Sequence, residues 1–313
     1  MTADLAHPFD LSDYLHRQAS VVDRALERYL SKYSEASQPL FRAMRYGIFP
    51  GGKRIRPVLT LASGELFGAA QQLLLPFACA VEMIHGYSLI HDDLPALDDD
   101  DLRRGAPAAH KVFGEGMALL AGDGLLTEAF RLTVDAEAVR GIAADRVIEV
   151  VRELAHAAGA MGLVGGQALD IEAEEKDVDL AAVEMIHARK TGALILASVR
   201  IGAQLGNATP TDLAKISRYG EFVGLAFQIA DDILDTQADP TTESGHKERK
   251  KATYPSVVGI TVARERLKEL LERCLAELQP FGARARPLAA IANHVVSRAT
   301  QAAVELATKE IHG

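Results

Sequence analysis

Composition and charge narrow the class of protein at once. The chain has 313 residues, of which 48% are hydrophobic and 25% charged, and this balance is typical of a folded globular protein. Lys and Arg number 34 against 43 for Asp and Glu, which gives a net charge of -9. A nucleic-acid partner, which is held by neutralising phosphates, is therefore disfavoured, and basic residues are expected to act locally.

Secretion, disulfide bonding and membrane insertion are not predicted either. The N-terminal segment carries Asp4, Asp10 and Asp13 without a basic start or an apolar stretch, so the cytoplasm is the expected location. Cys79 and Cys274 lie singly among apolar residues and are expected to be buried thiols. Charged residues or histidines interrupt each apolar run before the ~18 residues of a membrane span, so no span is predicted.

The apolar pattern predicts an all-α protein. Apolar residues recur every three or four positions, whereas no alternating run bounded by turn residues indicates a sheet. The predicted helices cover about residues 10–30, 39–47, 54–67, 71–93, 115–135, 142–157, 160–175, 179–206, 211–236, 254–278 and 284–306. The segment 73–90 is apolar on almost every side and is expected to be central. Since no repeat or low-complexity linker divides the chain, we predict a single-domain bundle over residues 1–313.

An acidic cluster follows this central helix. Asp92 and Asp93 end the helix, Pro95 follows, and four more aspartates occupy positions 98–101. Carboxylates at this density repel one another unless a cation lies among them. Pro95 loosens the helix and could allow Asp98 to swing towards Asp92. A solvated acidic loop is the alternative, and the apolar helix before the cluster argues against it.

A second acidic group consists of Asp231, Asp232 and Asp235. Asp231 and Asp235 are four residues apart, so their carboxylates project from one face of a helix. Two such groups facing each other would form an oxygen-rich site, and without nearby Cys or paired His this suits Mg²⁺ better than zinc. Mg²⁺ commonly completes its shell with phosphate oxygens, so a diphosphate is the expected ligand. A general acid and base pair is a weaker alternative, because nothing singles out one carboxyl.

Basic residues occur beside flexible or acidic segments. Lys53 and Arg56 follow a glycine pair and are three residues apart, so at a helix start both could address one diphosphate. Arg103 and Arg104 directly follow the first acidic cluster, where they could bind phosphate or simply balance the aspartates. A surface basic turn is the alternative for the first pair.

Two further segments carry basic residues. Lys190, Thr191 and Gly192 indicate a kink in the long helix predicted over 179–206, and a kink would expose carbonyl groups. The tract 247–251 contains Lys247 and Lys251 and, taken alone, is typical of a solvated loop.

In this order the motifs resemble the trans-polyprenyl diphosphate synthase family, and within it the bacterial farnesyl diphosphate synthases. The resemblance runs from about Phe41 to Arg298 and is highly specific as a combination, although each motif alone is weaker. Its motifs are GGKRIRP at 51–57, SLIHDDLPALDDDDLRRG at 88–105, GGQALD at 165–170, KTGALI at 190–195, FQIADDILD at 227–235 and KATYP at 251–255.

The resemblance implies a fold, a reaction and a cofactor. The fold is a helical bundle around a deep cavity, usually in a homodimer. The reaction is the head-to-tail condensation of isopentenyl diphosphate with dimethylallyl and then geranyl diphosphate. The metal ligands would be Asp92, Asp93, Asp98, Asp231, Asp232 and Asp235, holding about three Mg²⁺ ions.

The resemblance also implies two substrate sites. The allylic diphosphate would be held by the metals, by Arg103 and Lys190, and by Lys247 or Lys251. Thr191, the Lys190 carbonyl and Gln228 would stabilise the allylic cation. Isopentenyl diphosphate would occupy a separate pocket formed by Gly52, Lys53, Arg56, His85, Arg104 and Phe227.

The expected product is farnesyl diphosphate. Tyr87 lies five residues before Asp92, where in similar enzymes an aromatic side chain blocks growth beyond fifteen carbons, and Ser88 beside it is small. Geranylgeranyl diphosphate is the alternative, because Tyr87 could instead be an ordinary core aromatic.

Two departures from the family pattern stand out. Ser244-Gly245-His246 replaces the family's Leu-Gly-Lys, and the following stretch is shorter than usual, which makes Lys247 the best substitute for the third allylic contact. The chain also continues beyond Arg298 through an extension over residues 299–313.

Two rival functions differ in what they require. A class I terpene cyclase also ionises a diphosphate with metal-bound aspartates, but it needs no second diphosphate site such as Lys53, Arg56 and Arg104 would form. A non-catalytic subunit of a heteromeric prenyltransferase is disfavoured, since both acidic motifs and both basic sites are present together.

Overall fold

Helices form almost all of the regular structure. The computed structural model describes residues 9–31, 38–49, 51–174, 176–237 and 253–312. Within these ranges the helices are α1 (Leu11–Ser31), α2 (Gln38–Ile48), α3 (Ile55–Leu66), α4 (Gln71–Asp92), α5 (Ala109–Phe113), α6 (Glu115–Thr133), α7 (Ala144–Ala158), α8 (Leu163–Ala173), α9 (Leu180–His187), α10 (Ala193–Leu205), α11 (Pro210–Gln237), α12 (Tyr254–Val258), α13 (Ile260–Leu278) and α14 (Arg286–His312). The all-α prediction is thus confirmed.

Helix α4 is the central helix that the sequence predicts. Its buried side chains include Phe77, Cys79 and Ile84, which lie on different sides of the helix. By length and composition alone α4 is apolar enough to cross a membrane, which corrects the prediction that no segment reaches that limit. Of its most apolar window, 78% is buried inside the bundle, the environment of a core helix.

Two apolar cores meet along α3 and α10. One core surrounds α4 and α6, and the other surrounds α11, α13 and α14. Leu61 and Ile201 belong to the first core, while their helix neighbours Leu59 and Val199 belong to the second. A Cβ at Gly202 would come within 2.2 Å of the Thr60 carbonyl oxygen, so only glycine permits this contact between the helices. The acidic ends of α4 and α11 therefore come from opposite cores.

Local breaks differ from the predicted helix boundaries. The helix predicted over 179–206 is interrupted by a π-helical turn, Ala188–Gly192, between α9 and α10. The helix predicted over 254–278 breaks at Gly259, whose φ of 82° is unfavourable for other residues. A short antiparallel hairpin, β1 (Leu102–Arg103) and β2 (Ala106–Pro107), the helix α5 and a 3₁₀ segment (Gln279–Ala285) had no counterpart in the prediction.

Arg54 anchors the glycine loop that precedes α3. It adopts a left-handed backbone conformation with a φ of 49°. Its guanidinium donates to Asp23 at 2.9 Å, to Glu82 at 2.7 Å and to the Ile48 carbonyl at 2.8 Å. Because the side chains of Arg54 and Glu82 are only 3% and 4% exposed, this pair ties the loop to α4 inside the protein.

Arg54→Met should lower the free energy of unfolding by about 3–5 kcal/mol, because it leaves Glu82 charged and unpaired in the interior. The urea midpoint followed by circular dichroism measures this loss. Arg45→Met is the matched control, since Arg45 and Glu27 are 38% and 49% exposed, and it should cost at most ~1 kcal/mol. Equal losses in the two variants would contradict an anchoring role for Arg54.

Candidate active site

The first acidic loop folds back on the end of α4. The helix ends at Asp92, and the Asp98 amide donates to the Asp92 carbonyl at 2.8 Å. The Asp99 amide donates to the Leu94 carbonyl at 3.1 Å, and Asp99 has a φ of 53°. This confirms that the chain loosens around Pro95 and brings residue 98 beside residue 92.

Asp92 and Asp98 face Lys190 from the π-helical turn. Burial raises the pKa of Asp92 to about 6, which Lys190 opposes and Asp98 reinforces. Burial alone would lower the pKa of Lys190, but Asp170, Asp92 and Asp98 together raise it. The Lys190 ammonium donates to Asp170, so in this structure it is held beside the acidic loop by a partner on α8.

Arg103 forms ion pairs with the acidic loop. Its guanidinium binds Asp93, which is buried, and lies 3.1 Å from Asp100. Asp93 therefore positions Arg103 in this structure through one of its two carboxylate oxygens.

The second acidic group lies at the end of α11. Arg298 of α14 is 3.2 Å from Asp231, and burial raises the pKa of Asp231 to about 6, an effect that Arg298 opposes. Asp235 lies close enough to raise the pKa of Asp231 further. The sequence predictions used Arg298 only to mark the end of the family resemblance. Among the described ion pairs it is the cation nearest to Asp231.

Asp232 belongs to a buried hydrogen-bond chain. It accepts the Tyr254 amide at 2.7 Å and the Gln228 side-chain amide at 2.9 Å, and His187 lies 3.3 Å away. The Gln228 carbonyl oxygen accepts the Thr191 hydroxyl at 2.8 Å. The chain fixes the orientation of Thr191 and Gln228, and it gives Asp232 protein partners where the sequence analysis expected a metal ligand.

Glycines allow the π-helical turn to pack closely between two helices. A Cβ at Gly166 of α8 would lie 2.1 Å from the Lys190 amide nitrogen. On the other side, a Cβ at Gly224 of α11 would lie 3.0 Å from the Gly192 Cα. A π-turn in a helix is frequent at functional sites, and this one holds Lys190 and Thr191 side by side. Where the sequence predicted a kink, the structure has this π-turn.

A basic pocket lies beside the second acidic group. Arg104 has a φ of 54° and donates to the Gly51 carbonyl, and a Cβ at Gly52 would come within 2.8 Å of its guanidinium. Arg56 donates to His85 Nε2 at 3.3 Å if that nitrogen is unprotonated. Burial and the neighbouring arginines lower the pKa of His85 well below its usual value, so the ring is neutral.

Phe227 and Lys53 complete this pocket. The Arg56 and Arg298 guanidinium groups each lie 5.9 Å from the centre of the Phe227 ring. Burial and Arg298 lower the pKa of Lys53, whereas Asp231 raises it. The pocket therefore adjoins Asp231, and the sequence-predicted cations Lys53, Arg56 and Arg104 do come together.

Tyr87 lies in the core beneath the acidic loop. Its side chain is 4% exposed and packs edge-on against His91 at 5.7 Å between ring centres. Its buried hydroxyl has no hydrogen-bond partner among the described residues. Ser88 is buried as well and donates to the His85 carbonyl at 3.0 Å.

The donor set fits a hard cation that would bind together with a ligand. Among the described residues no three His, Cys, Asp or Glu side chains are close enough together to hold a metal by themselves. Burial nevertheless raises the pKa values of Asp92 and Asp231 despite the nearby Lys190 and Arg298, so further positive charge would stabilise their ionised forms. Divalent cations that bridge carboxylates and phosphate oxygens would supply that charge.

Some residues of the candidate site had no predicted role. Asp170 was quoted within GGQALD without a role, and only the fold shows that it binds Lys190. Asp100 and His187 were likewise missed, because their partners are distant or depend on a turn. Lys247 and Lys251 lie outside the described residues.

Comparisons with known proteins identify the family. The family model for polyprenyl synthetase matches residues 37–291. The chain is 42% identical over 297 residues to a protein of Escherichia coli strain K12 named farnesyl diphosphate synthase, covering 92% of this chain and 99% of that protein. It is 43% identical over 301 residues to a chloroplastic geranylgeranyl pyrophosphate synthase of Catharanthus roseus, covering 93% of this chain and 82% of that protein.

A solved structure is also similar. The apo structure of an FPP/GFPP synthase from Zymomonas mobilis superimposes with a TM-score of 0.83 at 36% identity, covering 91% of this chain and 98% of that one. Sequence and fold lead to one conclusion: this chain belongs to the polyprenyl synthetase family.

Proposed function

We propose that this prenyltransferase is a magnesium-dependent farnesyl diphosphate synthase. It joins isopentenyl diphosphate to dimethylallyl diphosphate and then to geranyl diphosphate. The observation that carries the proposal is the basic cluster of Lys53, Arg56 and Arg104 beside Asp231, together with the second carboxylate pair, Asp92 and Asp98, beside Lys190. Only a reaction between two diphosphates requires both.

The acidic site would bind the allylic diphosphate. Asp92 and Asp98 on one side and Asp231 on the other would hold about three Mg²⁺ ions, which when bound draw negative charge from the leaving diphosphate. Arg103 and Lys190 would add cationic contacts to the same oxygens. Lys190 must leave Asp170 to do so, and Arg298 must yield Asp231 to a metal.

The hydrogen-bond chain from Thr191 to Asp232 would serve the allylic cation. Asp232 fixes the Gln228 amide, and Gln228 in turn fixes the Thr191 hydroxyl, so both oxygens are oriented before substrate arrives. Oriented dipoles stabilise a developing cation without having to reorganise. Asp93 and Asp232 would therefore act by positioning Arg103 and Gln228, and Asp92, Asp98 and Asp231 would be the direct ligands, with Asp235 beside them.

The basic pocket would bind isopentenyl diphosphate and align its double bond. The neutral His85 accepts from Arg56 and leaves that guanidinium's other donors for phosphate oxygens. The absent Cβ of Gly52 leaves room for Arg104 at the loop. Holding the alkene beside the cation converts an encounter of two molecules into a step within one complex.

Fifteen carbons is the proposed product length. Tyr87 lies near Asp92, since Asp92 contributes to the raised pKa of its hydroxyl after burial. An aromatic ring one turn beneath the diphosphate site would end the cavity after three isoprene units. The similar proteins carry names with different product lengths, so overall identity does not decide between farnesyl and geranylgeranyl diphosphate.

A cytoplasmic homodimer is part of the proposal. Leu119 and Leu120 on α6 are 47% and 52% exposed, and Val112 on α5 is 48% exposed. Exposed apolar side chains on neighbouring helices are typical of a subunit interface.

The proposal is tested by incubating the purified chain with labelled isopentenyl diphosphate, dimethylallyl diphosphate and Mg²⁺ and sizing the products. Farnesyl diphosphate should dominate, and EDTA should abolish turnover until Mg²⁺ is restored. A twenty-carbon main product would overturn the product assignment. A cyclic hydrocarbon, or no turnover without a second protein, would favour one of the two rival functions.

Asp92→Asn should make the protein inactive but more stable in EDTA. Because the folded-state pKa of about 6 exceeds the ordinary aspartate value of 3.8, the folded chain binds more protons between these values. The stability contributed by this group is thus lost as the pH rises through that window. At pH 8 the variant should gain on the order of 1 kcal/mol, and near pH 4 the gain should vanish.

Thermal unfolding across pH measures this difference. Asp101→Asn, on the exposed side of the same loop, is the control and should change stability little at either pH. A gain for Asp92→Asn that persisted unchanged at pH 4 would contradict the charge-based explanation.

Tyr87→Ala should shift the main product from fifteen to twenty or more carbons, because it removes the proposed end of the cavity. Tyr87→Phe is the matched control: it keeps the ring and removes a hydroxyl without a described partner, so it should still give farnesyl diphosphate. Product sizing decides the case. If the alanine variant kept the fifteen-carbon product, Tyr87 would not set the length.

A further inference from the structure

A cavity lies behind the π-helical turn, with Ala188 and Gly192 of the turn in its wall. Its volume is about 420 Å³, within the range of small-molecule sites. Its lining combines apolar side chains of α10, α11 and α13, such as Leu196, Phe222 and Leu270, with charged side chains at the rim. Nothing in the proposed condensation uses this cavity.

The acidic residues of the rim each have a partner within the protein. Glu153 lies 2.8 Å from Arg200. Glu184 accepts the Tyr254 hydroxyl at 3.2 Å and lies 3.8 Å from Arg266, which is itself a rim residue. Glu221 lies near Arg218, whose pKa is raised chiefly by Glu277 and also by Glu221. The protein's own groups therefore partly neutralise these carboxylates.

The two arginines of the rim keep donors to spare. Glu269 lies 2.7 Å from Arg266 and 3.8 Å from Arg273, and Glu184 lies 3.8 Å from Arg266. The Arg266 Nε is buried and has no acceptor among the described residues, which costs roughly 1–3 kcal/mol unless a ligand supplies one. The Arg273 guanidinium lies 4.3 Å from the centre of the Phe222 ring, at the boundary between the apolar wall and the rim. The mouth thus suits an acidic head group and the interior an apolar chain.

The cavity shares a wall with the proposed catalytic residues. Ala188 and Gly192, at the two ends of the π-helical turn, line the cavity, and Lys190 and Thr191 lie between them in sequence. In the structure that contains this cavity, Lys190 is bound to Asp170. A ligand that fills the cavity would favour this state over one in which Lys190 reaches a diphosphate.

We propose that the cavity behind the π-helical turn is a second small-molecule site, which binds an amphipathic ligand with an acidic head and a long apolar chain and thereby slows turnover. The head contacts Arg266 and Arg273, and the chain lies against Phe222, Leu196 and Leu270. A fatty acid and an isoprenoid phosphate share this chemistry. The effect on turnover rests on the proposed function, whereas binding does not.

Binding can be measured without turnover by a single reporter. The chain has no tryptophan, so Phe222→Trp introduces the only one and places it in the cavity wall. Dodecanoate below its micelle concentration should change the tryptophan fluorescence saturably, and the uncharged dodecanol should bind at least about tenfold more weakly. Farnesyl monophosphate in EDTA is the second probe, and the tighter of the two acids identifies the source of the natural ligand.

Charge reversal at the rim tests the site. Arg273→Glu in the reporter background should weaken dodecanoate binding by about tenfold or more. Lys268→Glu is the matched control, because Lys268 is exposed on the same helix α13, does not line the cavity and makes the same change in net charge. Equal affinity in the two variants, equal affinity for dodecanol and dodecanoate, or no fluorescence change with either acid would overturn the site.

The effect on turnover is measured in the protein without the Phe222→Trp substitution. Dodecanoate should lower kcat with the KM for the allylic diphosphate unchanged, and Arg273→Glu should remove this inhibition while keeping basal activity. A rise in that KM alone would mean that the probe enters the acidic site, and it would overturn the proposed coupling. An inactive enzyme that still binds dodecanoate through Arg273 would instead count against the proposed function only.

Discussion

The arrangement of the candidate site depends on how cations compensate the negative charge buried at the ends of α4 and α11. Three carboxylates of the candidate site lie beside a cation that the chain itself supplies: Lys190 beside Asp92, Arg103 on Asp93 and Arg298 on Asp231. These cations offset the repulsion among the carboxylates within each acidic group. The same cations suit diphosphate oxygens, so the groups that stabilise the metal-free protein are the ones a substrate would recruit.

Backbone contacts at glycine place these cations. The π-helical turn fits between α8 and α11 because Gly166 and Gly224 lack a Cβ, and α3 meets α10 at Gly202. Arg54, buried against Glu82, fixes the glycine loop so that Lys53 and Arg56 face the site. Rigid positioning of this kind is what a reaction through a cation requires, since donors must be oriented before charge develops.

The sequence predicted the helices well, because apolar periodicity is a local signal. It predicted the long helix α4 and the return of Asp98 towards Asp92 for reasons that the structure bears out. The sequence did not show that Arg54 is buried and Lys53 is exposed, because the burial of neighbouring cations in one loop depends on how the chain packs. Nor could it pair Lys190 with Asp170 or Asp231 with Arg298, because such contacts depend on how distant helices pack. The π-turn could be predicted only as a kink, because Thr191 followed by Gly192 was the one local signal of a break in the helix.

The most direct test of the account is a crystal structure with Mn²⁺ in place of Mg²⁺ and an unreactive allylic thiodiphosphate, using anomalous scattering to locate the metals. The account predicts manganese between Asp92 and Asp98 on one side and Asp231 on the other, with Lys190 on the diphosphate and Arg298 displaced from Asp231. Manganese found elsewhere, or a diphosphate bound with both protein ion pairs intact, would contradict it.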